Sequence, residues 1–384
     1  MFKSVAIKKA LKSTVFTVAT FINKVIPKED SIVILYSANR GVNNNLKGVK
    51  DYLLQENFDK KYRIVCGVPN LSYAEDDTDR VEYLPRLKTF LLFLRAGHVF
   101  YTTGQIPIKP SKNQTVVHLD HGTANFKCCG ALSKIKNGDE FFFTYYLAPS
   151  KAYIPIVEKT FLCPKENIQV CGEAVTDAFY KEYQKYDLGN YKKIILWAPT
   201  FRQSDFYGYN DSEEELLPMY SEEEYEELNQ ILKKFDFCLI VKLHAGQKLE
   251  KYEQRFYSNL KIYSDKEFND SGMELYQLMM QVDYLLADYS SVFLQFLLLD
   301  KPMAFVVPDF EEYAEKRGFV FDKPYDYMPG PIIKNKNALY ECLENWFKGI
   351  DGYEQERKRV CDVIHEYQDG NNAKRAVEIA NMYL

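Results

Sequence analysis

Short apolar runs rich in β-branched residues alternate along this chain with segments of helical period, and the alternation occurs twice. In the first half, strands are predicted at 31–36, 62–68, 98–102 and 115–119, with helices near 46–55 and 86–96. In the second half, strands are predicted at 193–198, 237–243, 283–287 and 303–307, with helices over 222–234, 272–281 and 291–299. Runs this short and this continuously apolar are buried on both faces, which a parallel sheet covered by helices provides. The pattern therefore predicts an α/β chain built from two doubly wound, Rossmann-type domains. At 384 residues the chain is too long for one typical core and long enough for two. We expect a basic segment over 1–28, a first domain over 29–189 and a second over 190–384, with three helical segments after Asn335 closing the second.

Charge is distributed unevenly. Residues 1–28 hold six lysines (Lys3, Lys8, Lys9, Lys12, Lys24 and Lys28) and no acid, which leaves −11 on the rest of a chain whose net charge is −5. Apolar residues from Val5 to Val25 fall at helical spacing beside those lysines, the composition of a helix lying on an anionic membrane surface. The alternative is a helix that packs on its own domain. No run of 18 apolar residues is present to cross a bilayer, and no small-residue cleavage signature follows 15–22, so the expected location is cytoplasmic. A net negative charge offers no general basis for binding a nucleic-acid backbone, so any anionic ligand needs a local site. From Asp211 to Glu227 there are nine acids and no base, read as a solvated loop running into a helix that Ser221 and Glu224 cap. The eight cysteines show neither paired zinc-ligand spacing nor a dense disulfide framework and are read as reduced, mostly core thiols.

Ligands on parallel sheets bind at the carboxyl ends of the strands, so the residues just after each apolar run carry the functional information. After 115–119 comes Asp120-His121-Gly122-Thr123. His121 there is either a general base beside Asp120 or a buried histidine satisfied by backbone groups. After 193–198 come Thr200 and Arg202, a hydroxyl and a guanidinium suited to a phosphate. Lys242 and His244 end the next strand and either stabilise a phosphate or are a surface lysine and a core histidine. Asp288, Ser290 and Ser291 join a strand to a helix; a serine cap with free N–H groups makes an anion site there. Arg317 lies in a loop region that could close over a ligand.

Taken in order, His121-Gly-Thr, Ala198-Pro-Thr-Phe-Arg202, Lys242-Leu-His244, Ala287-Asp-Tyr-Ser-Ser-Val292, Lys301-Pro-Met303, Asp309-Phe-Glu-Glu-Tyr313, Arg317-Gly-Phe319, Pro329-Gly-Pro331 and Asp369-Gly370 resemble the CDP-glycerol glycerophosphotransferase family. The resemblance covers residues 30–384 and is strongest from 193 onwards. It implies a GT-B-like pair of domains attached peripherally to the inner face of the cell membrane. It also implies transfer of glycerol phosphate or ribitol phosphate from CDP-glycerol or CDP-ribitol to a lipid-linked teichoic acid or capsule precursor, with release of CMP. By motif, His121 resembles the catalytic base and His244 its partner at the donor phosphate. Thr200, Arg202, Lys242, Asp288, Ser290, Ser291 and Arg317 fall on the donor side, and Gly122, Thr123 and Lys127 on the acceptor side. No nucleic acid and no tightly bound metal are expected; a Mg²⁺ ion accompanying the donor diphosphate is compatible with the reading. Two rival readings on the same fold are a glycosyltransferase that uses a nucleotide sugar and a non-catalytic scaffold that binds nucleotide or glycan.

Overall fold

The computed structural model describes residues 15–38, 41–75, 79–102, 104–120, 125–132, 142–204, 209–210, 212–247, 249 and 256–384. The chain forms two compact units. One comprises residues 1–123, 137–180 and 366–384, the other 124–136 and 181–365.

In the first unit seven strands form one parallel sheet: β1 Glu29–Tyr36, β2 Arg63–Val68, β3 Glu82–Pro85, β4 Ala96–Tyr101, β5 Thr115–His118, β6 Tyr145–Ala148 and β7 Ile168–Val170, in the order β3-β2-β1-β4-β5-β6-β7. Both faces of the sheet are covered, as the continuous apolar runs require. On β1, Val33 and Leu35 belong to one core with Leu46, Val49 and Leu53 of the helix Asn44–Gln55. Ile32, Ile34 and Tyr36 belong to the opposite core with Phe93 and Tyr101. Each such side chain taken fully from water contributes about 1.5–3 kcal/mol. Gly48 lets the helix Asn44–Gln55 lie close against the following segment, because a Cβ there would stand 2.4 Å from the Ala174 carbonyl oxygen.

The second unit holds β8 Lys193–Trp197, a small antiparallel pair β9 Gln203–Ser204 and β10 Tyr209–Asn210, then β11 Phe237–Lys242, β12 Leu260–Tyr263, β13 Tyr284–Ala287, β14 Met303–Val306 and β15 Ile332–Ile333. The main sheet is parallel in the order β12-β11-β8-β13-β14-β15. Chain order reverses between β1 and β4 in the first sheet and between β8 and β13 in the second, the two places where loops part and leave room for a ligand. Ser221 and Glu224 form the expected capping box at the start of 222–235, with Leu228 and Leu232 buried beneath it.

The units depart from the division at 189–190 in three places, the smallest being that residues 181–189 already belong to the second unit. The helix Asn372–Ile379 belongs to the first unit: Ala373, Ala376, Val377 and Met382 complete the core that contains Leu46 and Val49. The Asp177 carboxylate accepts the N–H groups of Asn372 and Ala373 at 2.9 and 2.8 Å and so caps that helix from within the first unit. Residues 124–136 belong to the second unit, anchored by Phe126, which is buried against Phe293 and Phe319.

Residues 15–25 are helical; residues 1–14 lie outside the described residues. One face of this helix packs on the first unit. Phe16 meets Phe90 at 6.3 Å, and buried Asn23 donates to Gln114 Oε1 at 2.9 Å and to the Lys109 carbonyl at 3.0 Å. Lys28 ties the segment down through Asn23 Oδ1 at 2.8 Å and the carbonyls of Asn23 and Leu94, and burial lowers its pKa to about 8. The other face presents Val15, Val18, Phe21, Ile22 and Val25 to solvent. Among the described residues no helix is long and apolar enough to cross a membrane. All eight cysteines are thiols rather than disulfides, six of them buried, and burial pushes the thiols of Cys163, Cys171, Cys342 and Cys361 up to about 12.

Candidate functional site

At the carboxyl ends of β8, β13 and β14 the second unit builds a buried charge cluster. Asp288 follows β13 directly, and its carboxylate accepts the N–H and the hydroxyl of Thr200, both at 2.8 Å, the N–H of Ser290 at 2.9 Å, and an N–H of Arg202. Arg202 also donates Nε–H to Asp309 Oδ2 at 2.8 Å, an Nη2–H to Asp309 Oδ1 at 3.3 Å, and an Nη1–H to the Thr200 carbonyl at 2.9 Å. The Tyr289 hydroxyl donates to Asp309 Oδ1 at 2.9 Å, and its ring lies 5.1 Å from the guanidinium carbon. Burial opposes the charge on Arg202, but Asp288 and Asp309 outweigh it, and the guanidinium is held protonated more firmly than usual.

This geometry brings Thr200, Arg202 and Asp288, all expected on the donor side, into one hydrogen-bonded cluster. Arg202 is 1% exposed, and its guanidinium is shared by the carboxylates of Asp288 and Asp309. Arg202, Asp288 and Thr200 tie the exits of β8 and β13 together, and Asp309 adds that of β14. Asp309, whose role sequence reasoning missed, is the fourth member; it lies three residues past the end of β14, and an acid just beyond a strand was the available signal.

The serine turn differs from expectation. The helix after it is one short turn, Val292–Phe296, continued by a 3₁₀ turn Leu297–Leu299. Ser291 sits at φ −61°, ψ −10°, already helical, and its side chain makes no capping hydrogen bond. The N–H of Ser290 is taken by Asp288, an Asx turn rather than a serine cap. What the turn offers a ligand is two half-buried hydroxyls.

Beyond β11, Lys242 does not join His244: its ammonium is neutralised by Asp265 Oδ1 at 2.6 Å. His244 is half-buried, with its ring 5.2 Å from that of Phe201. Its Nδ1 accepts the N–H of Gly246 at 2.9 Å, so in the neutral ring the proton resides on Nε2. The His244 turn is coupled to the buried cluster, since Gln247 Oε1 accepts the N–H of Arg202 at 3.1 Å. An imidazole held this way can donate from Nε2 to an anionic oxygen.

Arg317 is half-buried at the end of the helix Phe310–Lys316, and its N–H returns to the Tyr313 carbonyl at 2.8 Å. Lys127, expected on the acceptor side of the first domain, pairs with Phe319 in an antiparallel bridge of the second unit. The reason is Phe126, whose burial draws the segment onto that core. In the first unit, β5 leads into Leu119 and Asp120, both buried. His121, Gly122 and Thr123 lie outside the described residues. Among the described residues no group of three or more histidine, cysteine or acidic side chains is arranged to hold a metal ion.

The family described as CDP-glycerol:poly(glycerophosphate) glycerophosphotransferase matches residues 18–380. Teichoic acid ribitol-phosphate polymerase TarL of Staphylococcus aureus is 24% identical over 379 residues, covering 92% of this chain and 62% of its own length. The chain therefore spans less than two thirds of that relative. The teichoic acid ribitol-phosphate primase of Bacillus spizizenii is 25% identical, with 98% of this chain and 97% of the primase covered. Among solved structures, the wall teichoic acid polymerase TagF is similar at a TM-score of 0.72 and 19% identity, covering 92% of this chain and 89% of its own. A TagF variant soaked with CDPG reaches a TM-score of 0.76 at 18% identity, covering 99% and 98%. At these identities the likeness shows the fold, a GT-B-like arrangement of two parallel α/β sheets.

Proposed function

The chain belongs to the CDP-glycerol:poly(glycerophosphate) glycerophosphotransferase family, and from that premise we propose that it transfers glycerol phosphate or ribitol phosphate from a CDP-activated donor to a lipid-linked teichoic acid or capsule precursor. In the reaction an acceptor hydroxyl attacks the β-phosphorus, the bond from that phosphorus to the bridging oxygen breaks, and CMP leaves. Phosphoryl transfer of this kind asks the protein for positioning and charge stabilisation more than for covalent chemistry.

The observation that carries the reading is His244, half-buried at the carboxyl end of a central strand with Nδ1 occupied and the proton on Nε2. That proton can serve a donor phosphate oxygen, with the hydroxyls of Ser290 and Ser291 as further donors on the same unit. His121 takes the acceptor proton as general base, a role typically worth about 10² to 10⁴ in rate. Any Mg²⁺ would arrive on the donor diphosphate, and no step assigned to these residues depends on it.

The acceptor is lipid-linked, and the helix 15–25 supports contact with an anionic membrane surface on the cytoplasmic side. Through Phe16 it packs on Phe90 of the helix Arg86–Phe93, which exposes Leu87 and Leu91 together with Arg86 and Lys88. Basic residues around exposed apolar side chains suit the headgroup boundary of anionic lipid.

The test is CMP release from CDP-glycerol, CDP-ribitol and a panel of nucleotide sugars, with Bacillus subtilis membranes as the source of acceptor. Turnover of a CDP-polyol that His244→Ala and His121→Ala each abolish is the expected result. Turnover of a nucleotide sugar instead would make the protein a glycosyltransferase, and turnover of none would make it a binding scaffold.

A further inference from the structure

The exit of β5 is held by more contacts than a strand end needs. Asp120 has φ +53°, in the left-handed region that glycine adopts freely and, among other residues, only Asn and Asp visit with any frequency, and its carboxylate is buried. The Asn45 side-chain amide donates to the carbonyls of both Leu119 and Asp120, each at 3.1 Å, while its Oδ1 accepts the N–H of Val175 at 3.1 Å. The Tyr146 hydroxyl donates to Asp120 Oδ2 at 2.5 Å. The Asp120 N–H donates to His118 Nδ1 at 3.1 Å, and the Leu119 N–H to the Tyr101 carbonyl at 2.8 Å. Tyr146 is itself immobilised, its ring stacked on His118 at 5.1 Å and on Phe161 at 4.4 Å.

Folding alone does not ask for this arrangement. A glycine at 120 would adopt the same backbone without strain and without burying a carboxylate. Strained residues persist where their surroundings over-determine them, and they gather at functional sites. The next residue in the chain is His121.

We propose that Asn45 and Tyr146 are positioning residues for the transfer reaction: by locking Asp120 in its left-handed conformation they fix the direction in which the chain leaves the sheet towards His121. The proposal rests on His121 being the general base. Each acts through Asp120. A displacement of about 1 Å at a catalytic group can cost 10²-fold in rate, whereas ground-state donor binding is insensitive to it.

The experiment measures CMP release from CDP-glycerol with Bacillus subtilis membranes as acceptor, in the full chain. Tyr146→Phe keeps the buried ring and deletes only the hydroxyl. We expect kcat to fall about 10- to 100-fold with KM for CDP-glycerol within about twofold. Asp120→Ala, which loses both the carboxylate and tolerance of the left-handed conformation, falls at least as far. Asp120→Asn, which keeps an acceptor for Tyr146 and suits that conformation, loses about tenfold less than Asp120→Ala. An unchanged kcat in folded Tyr146→Phe overturns the proposal, as does a loss expressed mainly in KM. Should Tyr146→Phe fail to fold, the Asp120 pair decides, and equal kcat values for its two variants sink the idea. His121→Ala separates the two levels: near-normal turnover there removes the base and this proposal together, while an inactive His121→Ala beside a normal Tyr146→Phe removes the positioning role alone.

Discussion

Arg202 shows how a strand-end cation can be legible in the sequence and its role hidden. The position after β8 invites a phosphate, and nothing local reveals that Asp288 and Asp309, 86 and 107 residues further on, close around the side chain. Breaking a buried ion pair by removing one partner typically costs about 3–5 kcal/mol, because the other charge is left buried without compensation. Arg202→Ala strands two carboxylates and should lower stability in urea by about that amount. Asp309→Asn leaves a neutral Arg202–Asp288 pair and should lose less. If Arg202→Ala instead leaves the urea midpoint in place and abolishes CDP-glycerol binding, the guanidinium is a ligand after all. A second residue-scale test concerns His98, whose buried Nδ1–H donates to the Ala380 carbonyl at 2.9 Å. Burial lowers its pKa, so the folded state favours the neutral ring while the unfolded chain takes up a proton near the ordinary value of about 6.5. Its contribution is therefore full above that pH and is lost as pH falls from there towards the lowered folded value. Comparison of urea midpoints at pH 7 and pH 5 should show a smaller drop in His98→Gln than in the unaltered protein; equal drops would mean the ring does not titrate differently on folding.

Elements with a full period of apolar residues were readable, and those without one were not. β1, β2, β8 and β11 each supply five or more residues and fall where the alternation put them. β3, β7, β12 and β15 bury one residue each, so they show no continuous apolar run and take their place from neighbours already in the sheet, whereas β5, β13 and β14, only four residues long, bury three or four and were legible. The helix 15–25 was ambiguous between a membrane-facing and a packing element because its two faces differ: Phe16 and Asn23 face the protein while Val18 and Phe21, 54% and 69% exposed, face away. Replacing Val18 and Phe21 together by Ser removes apolar area without touching the packed face. The melting temperature should stay within a few degrees while sedimentation with phosphatidylglycerol vesicles falls several-fold. Unchanged vesicle binding in a folded double variant would assign membrane contact to another surface. Gly48 belongs to this scale too, since the approach it permits sets the helix that carries Asn45 against Ala174.

For the whole molecule, two parallel sheets with helices on both faces were legible because the alternation occurs twice, but the destination of the last helix was not. Its stripe of Ala373, Ala376 and Val377 fits any apolar groove, and chain order pointed to the second unit; the structure puts it on the first. Removing residues 366–384 should consequently unfold the first unit rather than trim the second. Hydrogen exchange would register this as lost protection in β1 and in the helix Asn44–Gln55, with β8 and β11 still protected; uniform protection would show the helix to be dispensable. The returning helix also bears on synthesis. A ribosome adding about 5–20 residues per second completes Tyr180 roughly ten to forty seconds before it reaches Asn372. Throughout that interval the nascent first core lacks Ala373, Ala376, Val377 and Met382. The second unit, contiguous from Lys181 to His365 apart from one early strap, can form its core first, so the order of folding on the ribosome runs against the order of the sequence.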